Sequence, residues 1–270
     1  MAESKYEGKW ALILGASSGF GAATARALAR AGMDIFGVHL DLKSTLPRAQ
    51  QVMADVEALG RRAVFFNKNA ADARKREQIL DQMQEVLRAS EPPGVVHVLL
   101  HSLAFGTLLP FIPTKPGEEV IDPNRMDMTL NVMAHSLVYW VQDLVARGML
   151  VRGSRVFSMT SAGSHRALRG YGAVSAAKAA LEAHTRQLAL ELAPKGILVN
   201  CIQAGVTDTP ALRMIPNSDR IVAEVLARHP AGRLTTPEDV AQTLVALSDP
   251  ALTWISGSVI CVDGGEDIAT

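Results

Sequence analysis

Short, nearly unbroken apolar runs alternate with longer stretches of helical period along the whole chain. The runs Trp10–Leu14, Ile35–Leu40, Ala63–Phe66, Val95–Leu100, Arg155–Met159, Ile197–Ile202 and Ser258–Val262 read as strands. Their apolar positions are consecutive rather than alternating, which is the pattern of strands covered on both faces. Helices are predicted over Ala22–Ala31, Leu46–Leu59, the stretch from Asp72 to about Ala89, Met126–Met149, Tyr171 to near Ala193, and Pro237–Leu247. Gly32 suits a left-handed helix end, Gly60 a stop, and Asp72 and Thr236 are N-caps. Pro92-Pro93-Gly94 and Pro194 with Gly196 are breaks. Strict β–α alternation without a linker predicts an α/β fold: one doubly wound parallel sheet with helices on both faces, a single domain over residues 1–270.

Composition narrows the functions this fold can serve. Hydrophobic residues make up 48% and charged residues 20%, and 27 Lys+Arg balance 27 Asp+Glu. A net charge of zero gives no electrostatic footprint for nucleic acid or an anionic membrane. The nearest approach to a spanning segment, Val95–Ile112, is interrupted by His97, His101, Ser102, Gly106 and Pro110. The polar N-terminus lacks the apolar core of a secretory signal, so a cytoplasmic location is expected. Cys201 and Cys261 sit in apolar runs and read as buried, reduced thiols. No histidine spacing suggests a metal site.

Two constellations carry candidate chemistry. Gly15-x3-Gly19-x-Gly21 lies between a predicted strand and a predicted helix. Gly15 allows a tight turn, Gly19 leaves bare backbone for a pyrophosphate at the helix N-terminus, and Gly21 lets helix and strand pack closely. Ser17 and Ser18 offer hydroxyls to phosphate, and Phe20 lies inside the motif. The second is Tyr171 with Lys178, seven residues apart. Either both lie on one helix face, with a rise of about 10 Å between them, or Tyr171 sits in a turn before the helix, between Gly170 and Gly172. A nearby ammonium favours a charged or polarised phenol.

The glycine spacing, Asn131 in the long helix, the segment Asn200–Thr209 and the ending Val262-Asp263-Gly264-Gly265 resemble the short-chain dehydrogenase/reductase family over nearly the whole chain. Two departures, Tyr-x6-Lys in place of a four-residue spacing and His101-Ser102-Leu103-Ala104-Phe105 at the fourth strand end, resemble its enoyl-acyl carrier protein reductases. The segment Tyr171 to Pro230 resembles their NADPH-using subgroup.

The resemblance implies a Rossmann fold and a set of roles. Tyr171, Lys178, Asn131 and Ser161 would be catalytic. Gly15, Ser17, Ser18, Gly19, Phe20, Gly21, His39, Asn69, Ala70, His101, Ser102, Leu103, Lys178, Gly205, Val206 and Thr209 would line the cofactor. Residues 207–232, with apolar Met214-Ile215-Pro216, would form a substrate lid, and copies of the chain would assemble as a homotetramer. Ala204 stands where the family usually has Pro. Ser161 stands where many enoyl reductases carry a second Tyr; it either donates to substrate or caps the strand end, and it keeps a carbonyl or 3-oxoacyl reductase as the alternative. A catalytically idle dinucleotide-binding protein is a further one.

The implied reaction is reduction of the C2–C3 double bond of a trans-2-enoyl thioester of acyl carrier protein or CoA by NAD(P)H. His39 and Lys43 at the second strand end favour NADP(H) and Asp41 favours NAD(H); the subgroup resemblance tips the expectation to NADP(H). Arg166 and Arg169 would meet a carrier protein or a phosphate, or stay solvated. His101 would position rather than react, and His135, Tyr139 and His184 read as interior or interface residues.

Overall fold

A computed structural model describes Tyr6 and residues 8–269. The N-terminal stretch used for the signal-peptide reading lies mostly outside these residues. Seven parallel strands, β1 (Lys9–Leu14), β2 (Asp34–His39), β3 (Ala63–Asn67), β4 (Val95–His101), β5 (Arg155–Ser161), β6 (Leu198–Ala204) and β7 (Val259–Val262), form one sheet in the order β3-β2-β1-β4-β5-β6-β7. The predicted doubly wound sheet is present, with each strand within two residues of its sequence-derived bounds.

The two-residue period of a strand divides the core. Trp10, Leu12 and Leu14 of β1 face one layer, Ala11 and Ile13 the other. The first layer holds α3 (Ala73–Arg88), α4 (Pro123–Leu130), α5 (Ser136–Ala146) and α6 (Gly172–Leu192); the second holds α1 (Gly19–Arg30), α2 (Leu46–Ala58) and α9 (Pro237–Leu247). Fully burying each such Leu or Ile contributes about 1.5–3 kcal/mol. Trp10 adds a ring stacked on Phe36 at 4.0 Å. Two caps act as expected: Asp72 accepts from the Lys75 amide at 2.9 Å, and Thr236 and Asp239 close a reciprocal capping box.

The long helix differs from its prediction. It starts at Pro123, because Asp122 caps the Arg125 amide at 2.9 Å and Pro suits the first turn. It is also interrupted by a π turn over Asn131–His135 before α5. Within it the Ser136 hydroxyl donates to the Val132 carbonyl at 2.8 Å.

Two short helices, α7 (Pro210–Arg213) and α8 (Ser218–Arg228), follow β6. Strand β7 lies at the sheet edge, and Cys261 on it is exposed; only Cys201 is the buried thiol expected. Among the described residues, no helix is long and apolar enough to cross a membrane, and no group of three or more His, Cys, Asp or Glu could hold a metal ion.

Candidate active site

The strand order reverses direction between β1 and β4, so the crevice at their carboxyl ends opens beside the turn that follows β1. That turn is sterically committed. Gly15 has φ +94°, and a Cβ there would stand 2.5 Å from the Ser102 carbonyl oxygen. A Cβ on Gly21 would stand 2.0 Å from the Gly15 carbonyl oxygen, so helix α1 and strand β1 meet at backbone distance. The Gly15 and Ala16 amides bond the Val38 carbonyl at 2.8 and 3.1 Å, tying the turn to β2. Ser18 occupies the N-cap of α1 in extended geometry, and its side chain makes no cap bond. The Thr209 methyl lies 3.4 Å from where a Gly19 Cβ would be. A bare cradle at a helix N-terminus with a free hydroxyl fits the pyrophosphate of a dinucleotide.

The predicted cofactor residues fall along this crevice in sheet order. His101 and Ser102 end β4, and the Ser102 amide donates to Leu14 at 2.9 Å. Leu103 packs against the core. Phe20 packs against the opposite layer. Beyond β6, a Cβ on Gly205 would collide with Thr235 and Glu266, and the Val206 amide donates to the Glu266 carboxylate at 2.7 Å. After β3, Asn69 closes an exposed turn by accepting from the Ala71 amide at 2.9 Å. Ala70 is buried beneath it, its carbonyl taken by Trp140 Nε1 at 2.9 Å.

At the end of β2, the conflict between His39, Asp41 and Lys43 takes a definite form. The His39 ring lies 2.8 Å from Asp41, with both side chains shielded. The Thr45, Ser17 and His39 bonds outweigh burial and hold the Asp41 carboxyl below its ordinary range. Asn67 clamps the Asp41 backbone at 2.9 and 3.0 Å. Lys43 is exposed and points to no partner in this cluster. An anionic carboxylate therefore sits against the glycine turn.

The catalytic wall is built from β5, the loop after it and α6. Tyr171 lies in the turn just before α6, so of the two arrangements read from its spacing the pre-helical one holds. A Cβ on Gly163 would be 2.6 Å from the Tyr171 ring and 3.2 Å from Ser161 Oγ, so Gly163 lets the two side chains share one pocket. The Phe111 ring covers the neighbouring Gly172, where a Cβ would meet it at 2.4 Å. Burial raises the Tyr171 pKa, opposed only in part by the Ser161 hydroxyl. The expectation of a phenol polarised toward its anion is thus reversed: burial prevails, and Tyr171 stays protonated.

Ser161 Oγ is buried without a hydrogen bond of normal geometry, and it makes no strand-end cap bond. Lys178 is 7% exposed and donates to the Met159 carbonyl at 2.6 Å, not to Tyr171. Burial lowers its pKa from 10.5 to about 8.

The π turn brings Asn131 against α6. His101 holds that turn from the sheet: Nε2 lies 2.8 Å from Ser136 Oγ, and that hydroxyl already donates to Val132, so Nε2 carries the proton. Burial, then Lys178, lowers the His101 pKa to about 3. His101 is thus buried and neutral at the end of β4. His135 Nδ1 and His184 Nε2 meet at 3.0 Å between the paired helices.

Several residues that shape the wall were missed in the sequence. Arg166 pairs with Asp267 at 2.8 Å and Arg169 with Glu118 at 2.9 Å, so both arginines, read as meeting a carrier protein or a phosphate or staying solvated, have partners within the chain while their side chains stay 40% and 52% exposed. Phe111, Gly163, Glu118, Glu266 and Asp267 had no motif to mark them. The only signal was acidic residues directly after Asp263-Gly264-Gly265.

Comparison with known proteins places these features in a group. The family model described as enoyl-(acyl carrier protein) reductase matches residues 15–266. Cyclohexanol dehydrogenase of Acinetobacter sp. (strain SE19) is 30% identical over 264 residues, 97% of this chain and 96% of that protein. The 1-cyclohexenylcarbonyl-CoA reductase of Streptomyces collinus is 29% identical, covering 95% of this chain and 86% of that one. A short-chain dehydrogenase from Burkholderia cenocepacia J2315, solved in complex with NADP, superposes with TM-score 0.80 at 30% identity over 97% of this chain and 99% of its own.

Proposed function

The chain belongs to the short-chain dehydrogenase/reductase family of NAD(P)-dependent oxidoreductases, and we propose that it reduces the conjugated double bond of a trans-2-enoyl thioester. The observation that carries this reading is Tyr171: a partly buried phenol whose pKa is raised by desolvation, in the turn before α6 and seven residues ahead of Lys178. When bound, the dinucleotide supplies hydride to C3 of the enoyl group. The chain's own task is to meet the negative charge that then develops on the thioester oxygen until a proton, from Tyr171 or a water, reaches C2 and completes the reduction. A protonated phenol held at a fixed place before α6 is a preorganised donor for that oxygen. Lys178, a buried cation at neutral pH, adds positive potential on the same wall and is the group to hold a ribose hydroxyl. Asn131 opens the π turn that packs on α6, and that turn is tied to β4 through the His101–Ser136–Val132 link. The substrate named for the Streptomyces collinus relative, 1-cyclohexenylcarbonyl-CoA, is itself a conjugated enoyl thioester.

Cofactor choice turns on Asp41. A shielded carboxylate against the glycine turn repels a 2′-phosphate and suits a ribose 2′-hydroxyl. NAD(H) is therefore favoured over the NADP(H) expected from the subgroup resemblance. Met214 is an exposed apolar side chain, and residues 207–232 would close over an acyl chain carried by CoA or an acyl carrier protein. Pairing of the α5 and α6 faces with a second copy, on the way to a tetramer, is part of the same reading.

A second reading, carbonyl reduction, has its own observation: the buried Ser161 hydroxyl stands beside Tyr171, where it could donate to a ketone oxygen. One assay separates the two. Purified protein is given crotonyl-CoA or acetoacetyl-CoA, with NADH or NADPH, and products are identified by mass spectrometry. Butyryl-CoA formed faster with NADH is expected. 3-Hydroxybutyryl-CoA as the only product would establish the second reading in place of the first.

A further inference from the structure

The loop that brings Ser161, Gly163 and Tyr171 together is held from outside by the end of the chain. The Asp267 carboxylate accepts from Gln203 Nε2 at 3.0 Å, lies 3.0 Å from His165 Nε2, and pairs with Arg166 at 2.8 Å. Arg166 also donates to the Asp267 carbonyl. The Asp267 amide in turn donates to the Asp263 carboxylate at 3.0 Å, anchoring the residue to the end of β7. The acid is the shielded centre of this cluster: its side chain is 17% exposed, against 49% for His165 and 40% for Arg166. Beside it, Glu266 holds the Val206 amide, and Arg228 at the end of α8 donates to the Ala269 carbonyl at 3.0 Å. The stretch Asp263–Ala269 thus joins the loop before Tyr171, the end of β6 and the end of α8.

We propose that Asp267 is a positioning residue, fixing the loop 162–170 so that Ser161 and Tyr171 remain face to face across Gly163. The proposal rests on the reading of Tyr171 as the donor to the reacting oxygen. An isolated exposed ion pair would contribute little. Asp267 differs because one shielded carboxylate serves donors from the loop and from β6 together, and such shared, charge-assisted bonds restrict geometry more than a single pair does. A misplacement of about 1 Å at a reacting centre costs up to about 100-fold in rate.

The test uses the full chain with Asp267→Asn, Asp267→Glu and wild type. Three quantities are read: kcat with crotonyl-CoA, dinucleotide affinity by nicotinamide fluorescence, and hydrogen–deuterium exchange of the amides from 163 to 170. In Asp267→Asn, kcat is expected to fall about tenfold or more, dinucleotide affinity to stay within about twofold, and loop exchange to quicken. Asp267→Glu, which keeps the charge, is expected to recover part of both. Wild-type exchange in the Asn variant overturns the proposal. So does quickened exchange with unchanged kcat, or a loss of dinucleotide affinity as large as the loss of kcat. If wild type turns over neither thioester, it is the reading of Tyr171 that fails, and the exchange result still decides whether Asp267 fixes the loop.

Discussion

The glycine turn and the catalytic wall face each other across one crevice and are specified in different ways. The turn is fixed by exclusion: a methyl group at Gly15 or Gly21 would overlap backbone oxygens a few residues away or on the adjacent strand end. The wall is fixed by partners: Lys178 by the Met159 carbonyl, Asn131's turn by His101 through Ser136, and the Tyr171 loop by Asp267. Local sterics leave the turn one geometry, with bare backbone at the N-terminus of α1. On the wall, burial shifts Tyr171 up and Lys178 down, and in the proposed reaction these are the two groups that meet the second substrate.

The largest effect should come from breaking the turn. Gly21→Ala places a methyl 2.0 Å from the Gly15 oxygen, and both are backbone-anchored. Overpacking of this kind costs about 3 kcal/mol, read from urea unfolding, and dinucleotide binding should be lost with it. Binding at wild-type affinity would mean the turn is less committed than its geometry indicates.

A smaller effect tests the wall by pH. Burial lowers the Lys178 pKa to about 8, against 10.5 for an unburied lysine. Below about 8 the folded protein keeps the cation; above it the proton leaves, and the positive potential with it. The kcat/KM profile should therefore carry a descending limb near pH 8, absent from the unfolding midpoint. Stability moves the opposite way: between about 8 and 10.5 the unfolded chain binds the proton the folded chain has released, so rising pH relieves the burial penalty on Lys178. A flat kcat/KM profile to pH 10 would remove the cation from the account.

The smallest effect is expected at Arg169→Gln. Its pair with Glu118 joins two loops but stands open to water, with the Arg169 side chain 52% exposed. Solvent-screened pairs contribute little, so kcat/KM should change by less than about twofold in a steady-state assay. A large loss would show that the wall depends on exposed pairs as much as on shielded ones.

The same contrast explains what could be read from the sequence. The strands were legible because burial on both faces writes them as unbroken apolar runs. The turn was legible because only glycine tolerates its contacts, and Asp72 and Thr236 because capping acts within three residues. The π turn at Asn131 left no trace, since one inserted residue barely disturbs the apolar stripe of a helix. Asp122 and Pro123, a cap and a first-turn proline, set the earlier start ahead of the apolar stripe. Cys261 looked buried because an edge strand and a central strand share an apolar composition. Asp267 and His165 stand 102 positions apart, and the direction of the Tyr171 shift comes from desolvation by neighbours such as Gly163 that pack on the ring. Neither relation has a spacing to recognise.

The central claim is that Tyr171 acts on the reacting oxygen while the glycine turn holds the dinucleotide independently. Tyr171→Phe removes the hydroxyl and keeps the ring, and kcat with crotonyl-CoA is measured at saturating dinucleotide beside the dinucleotide dissociation constant. Removing one preorganised donor should lower kcat about 100-fold or more, with the dissociation constant unchanged. Wild-type kcat in Tyr171→Phe, or a loss confined to dinucleotide binding, would contradict the account.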